Sequence, residues 1–501
     1  MWKDRVIFMT ILRKFKISYT FSIIFLFILV FAIIDRLTPR PHLMSYLFFS
    51  LTLLIIIQYR YIDRKKTKYL YFLPLIFLLW GNMHMGILAG LLLIGVYYAA
   101  ELITFFIPKK FSSNEIPSLT KPELIRLLLI FIACVLVMLI NPNGIQTYFY
   151  AYEHTKMKML STVNEWMSPF SSNYNDGFVS YIYKAFLFTG FLTIFYSFSK
   201  KDVLPGLLFI IFGIYSVRAM RFTVDYVLIL FPFLILTYFY YLFKIKSAVL
   251  KDFLIINPVP KIILSLGLFL LIFPVKDNSF YLGFMKYYRI SGFGINSEFI
   301  PTQMFDFIKE NKIADIGEKP FNHFGTGGFI VWNFPGKQNF IDSRNLSDEI
   351  FYKYDSLIRK MPGFEKKFND YGFDYVIYLD PDYTHWDLNT LERMKNNTIL
   401  SYLTKSDDWK LVFWDDKSVL YVKNLPKFKD IIDKYEYKYL TPFYYPFTNE
   451  TEKSLVNKGL NEDKLKLKSE IKRKAAEEPE SVVMHVLFNA FGNKLTSILN
   501  N

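Results

Sequence analysis

The sequence predicts a polytopic α-helical membrane protein of about nine transmembrane helices, with a C-terminal extracytoplasmic α/β domain and a short helical tail. Three observations carry this reading. Of the 501 residues, 52% are hydrophobic and only 21% are charged, which excludes a disordered chain, a collagen and an ordinary soluble enzyme. Apolar runs recur as far as residue 275 and then stop. The net charge of +15 lies wholly in that apolar part: residues 1–275 hold 27 Lys and Arg against 12 Asp and Glu, whereas residues 276–501 hold 32 of each. Basic residues set between apolar runs are the pattern of cytoplasmic loops, not of a nucleic-acid-binding stripe. The lone Cys134 excludes a disulfide framework and a cysteine-based zinc site.

The apolar segments are 17–34, 43–58, 70–81, 86–106, 124–141, 178–198, 203–217, 222–243 and 261–275. A hydrocarbon core of about 30 Å takes about 20 helical residues, so the shorter runs are expected to tilt or to be shielded by neighbours. The first run is followed by DRLTPRPH and no small-residue cleavage site, so it is not a signal peptide. With the N-terminus in the cytoplasm and 70–81 and 86–106 as two crossings, inner segments hold 19 Lys and Arg and outer segments 6; fusing those two runs makes it 14 against 11. The positive-inside rule selects the split, with the chain in the inner membrane and residues 276–501 outside the cytoplasm.

From residue 276 the periodicity changes. QMFDFIKENKI reads as an amphipathic helix, FIVWNF and NFIDSR as short strands around a PGK turn, and SDEIFYKYDSLIRKM as a helix. DYVIYLD reads as a buried strand, 387–404 as helical, and WKLVFWDDKSVLYVKN as a hairpin. The expected organisation is a membrane domain at 1–275, an α/β domain at 276–425 and a charged helical tail at 426–501.

Polar residues at the ends of apolar runs are the informative ones, because lipid makes them costly. Arg36, Arg40 and His42 lie at one outer mouth, Asn82 and His84 at the next, Asn141 and Asn143 at a third, and Arg218 and Arg221 at a fourth. All four clusters are expected on the same side. Arg218 and Arg221, spaced i and i+3, share a helix face and suit a phosphate through forked hydrogen bonds. Bland readings stand beside these: interfacial arginines snorkel, histidines pack, and NPNG is an adequate helix stop.

The runs RLTPRPHLMSYLFFSLTL, LPLIFLLWGNMHMGILAGLLLIGVYYAAEL, NPNGIQTYFY with STVNEWMSP, and VRAMRF resemble bacterial C-type (GT-C) glycosyltransferases, near the protein O-mannosyltransferase and lipid A aminoarabinose transferase families. NHFGTGGFIVWNFPGKQNFIDSR and FNDYGFDYVIYL look like the outer domain of that group, so the resemblance covers about residues 15–425. It implies transfer of a sugar from a polyprenyl-phosphate donor to an acceptor, a protein or glycan, outside the cytoplasm. Arg218, Arg221, Arg40 and His84 are then expected to hold the lipid phosphate. The first helix and acidic first loop that supply the base in this group look absent, so a truncated or inactive member is an open alternative. It would act as a subunit binding a lipid-linked glycan or a partner. Glu165 and Asp35 are the candidate replacement acids, with Asp225 behind them. In the outer domain, His323, Gly325, Asp342 and Arg344 are the candidate acceptor-binding residues, on a distant likeness to an oligosaccharyltransferase acceptor region. No Mg²⁺ motif is evident, though an acidic site could recruit a divalent metal; no inverted repeat supports a transporter; and the resemblance implies a polyprenyl-phosphate-linked sugar as donor substrate.

Overall fold

The computed structural model describes residues 2–15, 17, 19–38, 40–113, 115–172, 177–244, 258–284, 291–294, 300–343, 347–379, 399–442, 455–491 and 493–500. The chain divides into two compact units, Met1–Ser291 and Gly292–Asn501.

The first unit is helical. Its helices are α1 (Trp2–Lys14), α2 (Tyr19–Ile33), α3 (His42–Ile57), α4 (Leu73–Gly81), α5 (Ile87–Phe106), α6 (Lys121–Val137), α7 (Gln146–Lys156), α8 (Phe178–Gly190), α9 (Leu192–Lys200), α10 (Val203–Ser216) and α11 (Met220–Lys244). Helices at Val259–Leu270 and Ile272–Lys276 follow. Among the described residues, four stretches are long and apolar enough to cross a membrane: His42–Ile62, Ile87–Phe106, Phe178–Lys200 and Met220–Tyr241. Phe21–Ile33, Thr67–Gly81, Val203–Ser216 and Ser265–Lys276 are shorter apolar helices. The runs at 70–81 and 86–106 are separate helices, joined through Asn82–Gly86.

Burial explains why these helices are apolar all round. α11 is packed on every face, from Val224 through Ile235, as expected of a central helix. α6 buries Leu124, Leu127, Ile130 and Cys134, and exposes Ile125, Leu129, Ile132 and Leu136. A second apolar face open to the surroundings suits lipid, not water. α1, expected only as a basic inner segment, is a helix that buries Phe8, Ile11 and Leu12 in the same core.

At the end of the bundle opposite His42, the chain buries charge. The π-helical turn Gln58–Ile62 presents Arg60, whose Nε donates to Glu101 Oε1 on α5 at 2.6 Å. Its Nη1 donates to Asp202 Oδ1, at the start of α10, at 2.8 Å. Tyr61 OH donates to Asp202 Oδ2 at 2.7 Å, and Asp202 Oδ1 accepts the Leu204 N–H at 3.2 Å. One guanidinium thus ties three helices.

The second unit has a four-stranded sheet in the order β1-β2-β4-β3, from β1 (Pro320–Asn322), β2 (Tyr375–Leu379), β3 (Trp409–Trp414) and β4 (Ser418–Lys423). β1 and β2 are parallel, with Phe321 opposite Val376; the other pairs are antiparallel, with Ile377 opposite Leu420. The helix at Thr302–Glu310, the helix at Asp348–Ile358, β2 and the β3–β4 hairpin match expectation. FIVWNF does not: Gly327–Asn333 is a helix that buries Ile330. Residues 339–343 of NFIDSR form no strand either; Asn322 Oδ1 accepts the Phe340 N–H at 2.8 Å and Asn322 Nδ2 donates to Ile341 O at 2.8 Å, so a side chain pins this backbone in place of a neighbouring strand. Of the segment 387–404, Ile399–Lys405 is helical and residues 387–398 lie outside the described residues. The charged tail joins this unit: Val456, Leu467, Ile471, Val483, Leu487 and Leu495 share one hydrophobic cluster with Trp414 and Tyr421. Glu470 accepts the N–H groups of Lys438, Tyr439 and Leu440 at 2.8, 3.0 and 2.8 Å, joining two parts of the tail, and Arg473 Nη2 and Lys474 Nζ donate to Val412 O and Trp414 O at 3.0 and 2.6 Å, fastening it to β3.

Candidate anion site at one end of the helical unit

The turns that carry the polar clusters are built locally. α2 ends at Ile33 and the 3-10 turn Ile34–Arg36 follows. His42, opening α3 behind Pro41, donates from Nε2 to the Arg36 carbonyl at 2.7 Å and closes the RLTPRPH loop. In the next turn, His84 Nδ1 accepts the Gly86 N–H at 3.0 Å and lies 2.7 Å from Ser45 Oγ, which itself accepts the Trp80 Nε1–H at 2.8 Å. A backbone N–H can only donate, so Nδ1 carries no proton and the ring keeps its hydrogen on Nε2. Burial, followed by the charges of Arg221, His42 and Arg36, pushes the His84 pKa down to about 4. His84 is therefore a neutral hydrogen-bond donor at physiological pH. Gly86 is required here: a Cβ would lie 2.8 Å from Ser45 Cβ and 2.9 Å from His84 Nδ1.

The NEWMSP loop is stitched to the α10–α11 connection. Met220 N donates to Met167 O at 2.9 Å, and Ser168 Oγ donates to Val217 O at 2.7 Å. This lays the Arg221 guanidinium over the Trp166 ring, 4.0 Å from its centroid, with Phe222 and His154 flanking Trp166 at 5.9 and 4.6 Å. Glu165, beside Trp166, closes the group. Its Oε1 takes Arg36 Nη1 at 3.0 Å and Arg40 Nη1 at 2.8 Å. Burial raises the Glu165 pKa, but the Arg36 and Arg40 charges outweigh it and hold the carboxyl below its ordinary value.

Three of the four expected clusters therefore converge: Arg36, Arg40 and His42; His84; and Arg221. Glu165 joins them. Arg218 does not; it is exposed and enters none of these contacts. Asn82 and the NPNG turn serve the fold. Asn82 Nδ2 donates to Ile140 O at 2.9 Å, and Asn141 Oδ1 accepts the Asn143 N–H at 2.8 Å and the Thr147 hydroxyl at 3.1 Å. Asp225 forms no ion pair with Arg221 among the described residues; it accepts Tyr215 OH at 3.3 Å. The backbone of Asp35 lies in the 3-10 turn, and its side chain is outside the described residues. Arg36 is the strongest addition to the expected phosphate set, with a buried Nε that has no partner.

In the other unit, His323 Nδ1 accepts the Gly325 N–H at 3.1 Å, its ring meets Tyr378 at 4.9 Å, and burial pushes its pKa down to about 4. Asp342 is buried and accepts Asn339 Nδ2 at 3.0 Å; a Cβ on Gly327 would lie 2.5 Å from Ile341 O. The glycine-rich stretch is thus a packed turn and helix start rather than an open loop. Arg344 lies outside the described residues.

Residue groups able to hold a metal are absent among the described residues. The cluster's own donors favour an anion: three guanidiniums and a neutral imidazole N–H lie near one another, and among the described residues Glu165 is the carboxylate ion-paired with two of them. No protein-family model and no curated protein matches the chain.

Proposed function

We propose that the chain is an integral membrane protein that binds the phosphate of a polyprenyl-phosphate-linked sugar and passes the sugar to an extracytoplasmic protein or glycan acceptor, in the manner of C-type glycosyltransferases. The observation that carries this reading is the convergence of Arg36, Arg40, Arg221 and the neutral His84 at one end of an apolar bundle, with Glu165 as the carboxylate ion-paired there among the described residues. Such a group suits a phosphate headgroup at the lipid surface while the isoprenoid tail stays in lipid. In the transfer, the acceptor oxygen forms a bond to the sugar's anomeric carbon. The bond from that carbon to phosphate oxygen breaks, its electron pair leaves with the phosphate, and the acceptor proton goes to a base. Charge grows on the phosphate, where guanidinium and imidazole N–H donors act most strongly. The nine crossings, the cytoplasmic N-terminus and the inner-membrane location belong to the same proposal, supported by the distribution of Lys and Arg.

A second reading is favoured by Glu165 itself. A carboxylate shared by two guanidiniums is a poor base, so the chain would bind a lipid-linked glycan and hand it on without transferring it. The test supplies the full chain in lipid nanodiscs with polyprenyl-phosphate sugars and envelope acceptors. Acceptor glycosylation with release of polyprenyl phosphate supports transfer. Saturable binding without release supports the second reading, and absence of both refutes the phosphate site.

A further inference from the structure

Glu165 occupies the place an anion would take. One oxygen, Oε1, receives both Arg36 Nη1 and Arg40 Nη1, at 3.0 and 2.8 Å. Arg36 keeps a buried Nε with no partner, and Arg221, stacked on Trp166, forms no ion pair among the described residues. A single planar carboxylate leaves this donor set half used. The donor's phosphodiester has two terminal oxygens and a charge of −1, and the polyprenyl phosphate it leaves has three and a charge near −2, so both can engage donors that one carboxylate oxygen leaves idle.

The carboxylate is also free to leave. The Glu165 side chain is 38% exposed and the Arg40 side chain 59%, so the pair opens on solvent. The anchors of its loop, Met167 O and Ser168 Oγ, lie two and three residues further along and do not involve the Glu165 side chain. Rotation about the side-chain bonds releases Oε1 without unpicking the loop.

We propose that Glu165 is a built-in placeholder for the phosphate: it neutralises Arg36 and Arg40 in the empty site, keeps them aimed at one point, and is displaced by the incoming phosphate oxygens. This rests on the phosphate-binding reading above and assigns Glu165 a role other than acid–base catalysis. Each binding event exchanges two charge-assisted hydrogen bonds for others of the same kind. Removing the competitor therefore tightens binding. For partly exposed ion pairs the gain is modest, about three- to tenfold.

The experiment uses the full chain in nanodiscs of zwitterionic lipid. Binding of radiolabelled polyprenyl phosphate is measured for the native chain and for Glu165→Gln, with inorganic phosphate as a parallel ligand. The expected result is about three- to tenfold tighter binding of the lipid phosphate in Glu165→Gln. Tightening for inorganic phosphate as well locates the effect at the headgroup; tightening for the lipid alone assigns the ligand source to the membrane. A native chain that binds neither ligand defeats the phosphate site itself. A native chain that binds the lipid while Glu165→Gln binds it equally or more weakly overturns the placeholder and leaves the site standing. A second measurement needs no variant: coupling of Glu165 to an amine by a water-soluble carbodiimide, read by mass spectrometry. Displacement predicts faster labelling of Glu165 when polyprenyl phosphate is present. Slower or unchanged labelling overturns it.

Discussion

Replacing Arg60 with methionine is expected to destabilise the helical unit by about 3–5 kcal/mol, the range for stripping one partner from a buried ion pair. The side chains involved are nearly sealed, at 1% exposure for Arg60, 0% for Glu101 and 2% for Asp202. The loss falls unequally. Among the described residues, Asp202 retains Tyr61 OH at 2.7 Å and the Leu204 N–H at 3.2 Å, whereas Glu101 Oε1 loses its only donor and Oε2 already has none. Most of the penalty should therefore sit on Glu101. Arg60→Met combined with Glu101→Met should recover much of it, because no uncompensated carboxylate remains on α5. Arg60→Lys should fall between, since one ammonium cannot reproduce a fork that reaches α5 and α10 together. The assay is reversible unfolding in mixed micelles, with the native chain, Arg60→Met, Glu101→Met and the double variant forming a double-mutant cycle. A cost under about 1 kcal/mol for Arg60→Met, on the scale of an exposed pair, would refute the argument. So would a double variant no more stable than the single one.

Further outcomes follow from the site and from His323 of the C-terminal unit. Gly86→Ala should displace Ser45 and His84, given a Cβ 2.9 Å from His84 Nδ1, with a stability loss of about 1–3 kcal/mol and weaker phosphate binding, both measurable on the purified chain. Trp166→Ala should weaken phosphate binding by releasing Arg221 from the ring 4.0 Å away, by about 0.5–2 kcal/mol, with Trp166→Phe between it and the native chain in the same binding assay. The pH dependence separates Glu165 from His323. Glu165 has a depressed folded pKa, so its contribution is whole above the ordinary value of 4.5 and fades as pH falls through the lower folded value; the melting difference between native chain and Glu165→Gln should vanish in that acid range. His323 is lowered from 6.5 to about 4, so the unfolded chain binds its proton first; stability of the C-terminal unit should fall as pH drops from 6.5 to 4, and His323→Phe should flatten that slope.

What the sequence disclosed followed from periodicity and cost. Apolar runs in 1–275 marked helices, and the β3–β4 hairpin was readable from WKLVFW and SVLYVK around a DDK turn. Polar residues at helix ends marked the candidate anion site because nothing in an apolar core asks for them. FIVWNF was misread because β-branched and aromatic residues fit a strand and a one-face-buried helix alike, and NFIDSR because the contacts that hold it, from Asn322 to Phe340 and Ile341, are set by tertiary structure. The partner of each arginine was not legible. Arg40 and Glu165 are separated by 125 positions, and Arg60 and Asp202 by 142, with no periodicity linking either pair. Glu101 was legible in principle, as a lone acid inside the run 86–106. Arg218 and Arg221 look equivalent at i and i+3, but the turn ending α10 leaves Arg218 exposed while α11 carries Arg221 onto Trp166.

That contrast gives the most direct test. Radiolabelled polyprenyl phosphate is titrated against the full chain in nanodiscs, with Arg36→Ala, Arg221→Ala and Arg218→Ala compared under one salt concentration. A hydrogen bond to a charged group is worth about 1.5–3 kcal/mol, so losing Arg36 or Arg221 should weaken binding by about tenfold or more, and losing Arg218 should leave it within about twofold. Equal, small effects for all three would contradict the phosphate site built on Arg36, Arg40, Arg221 and His84.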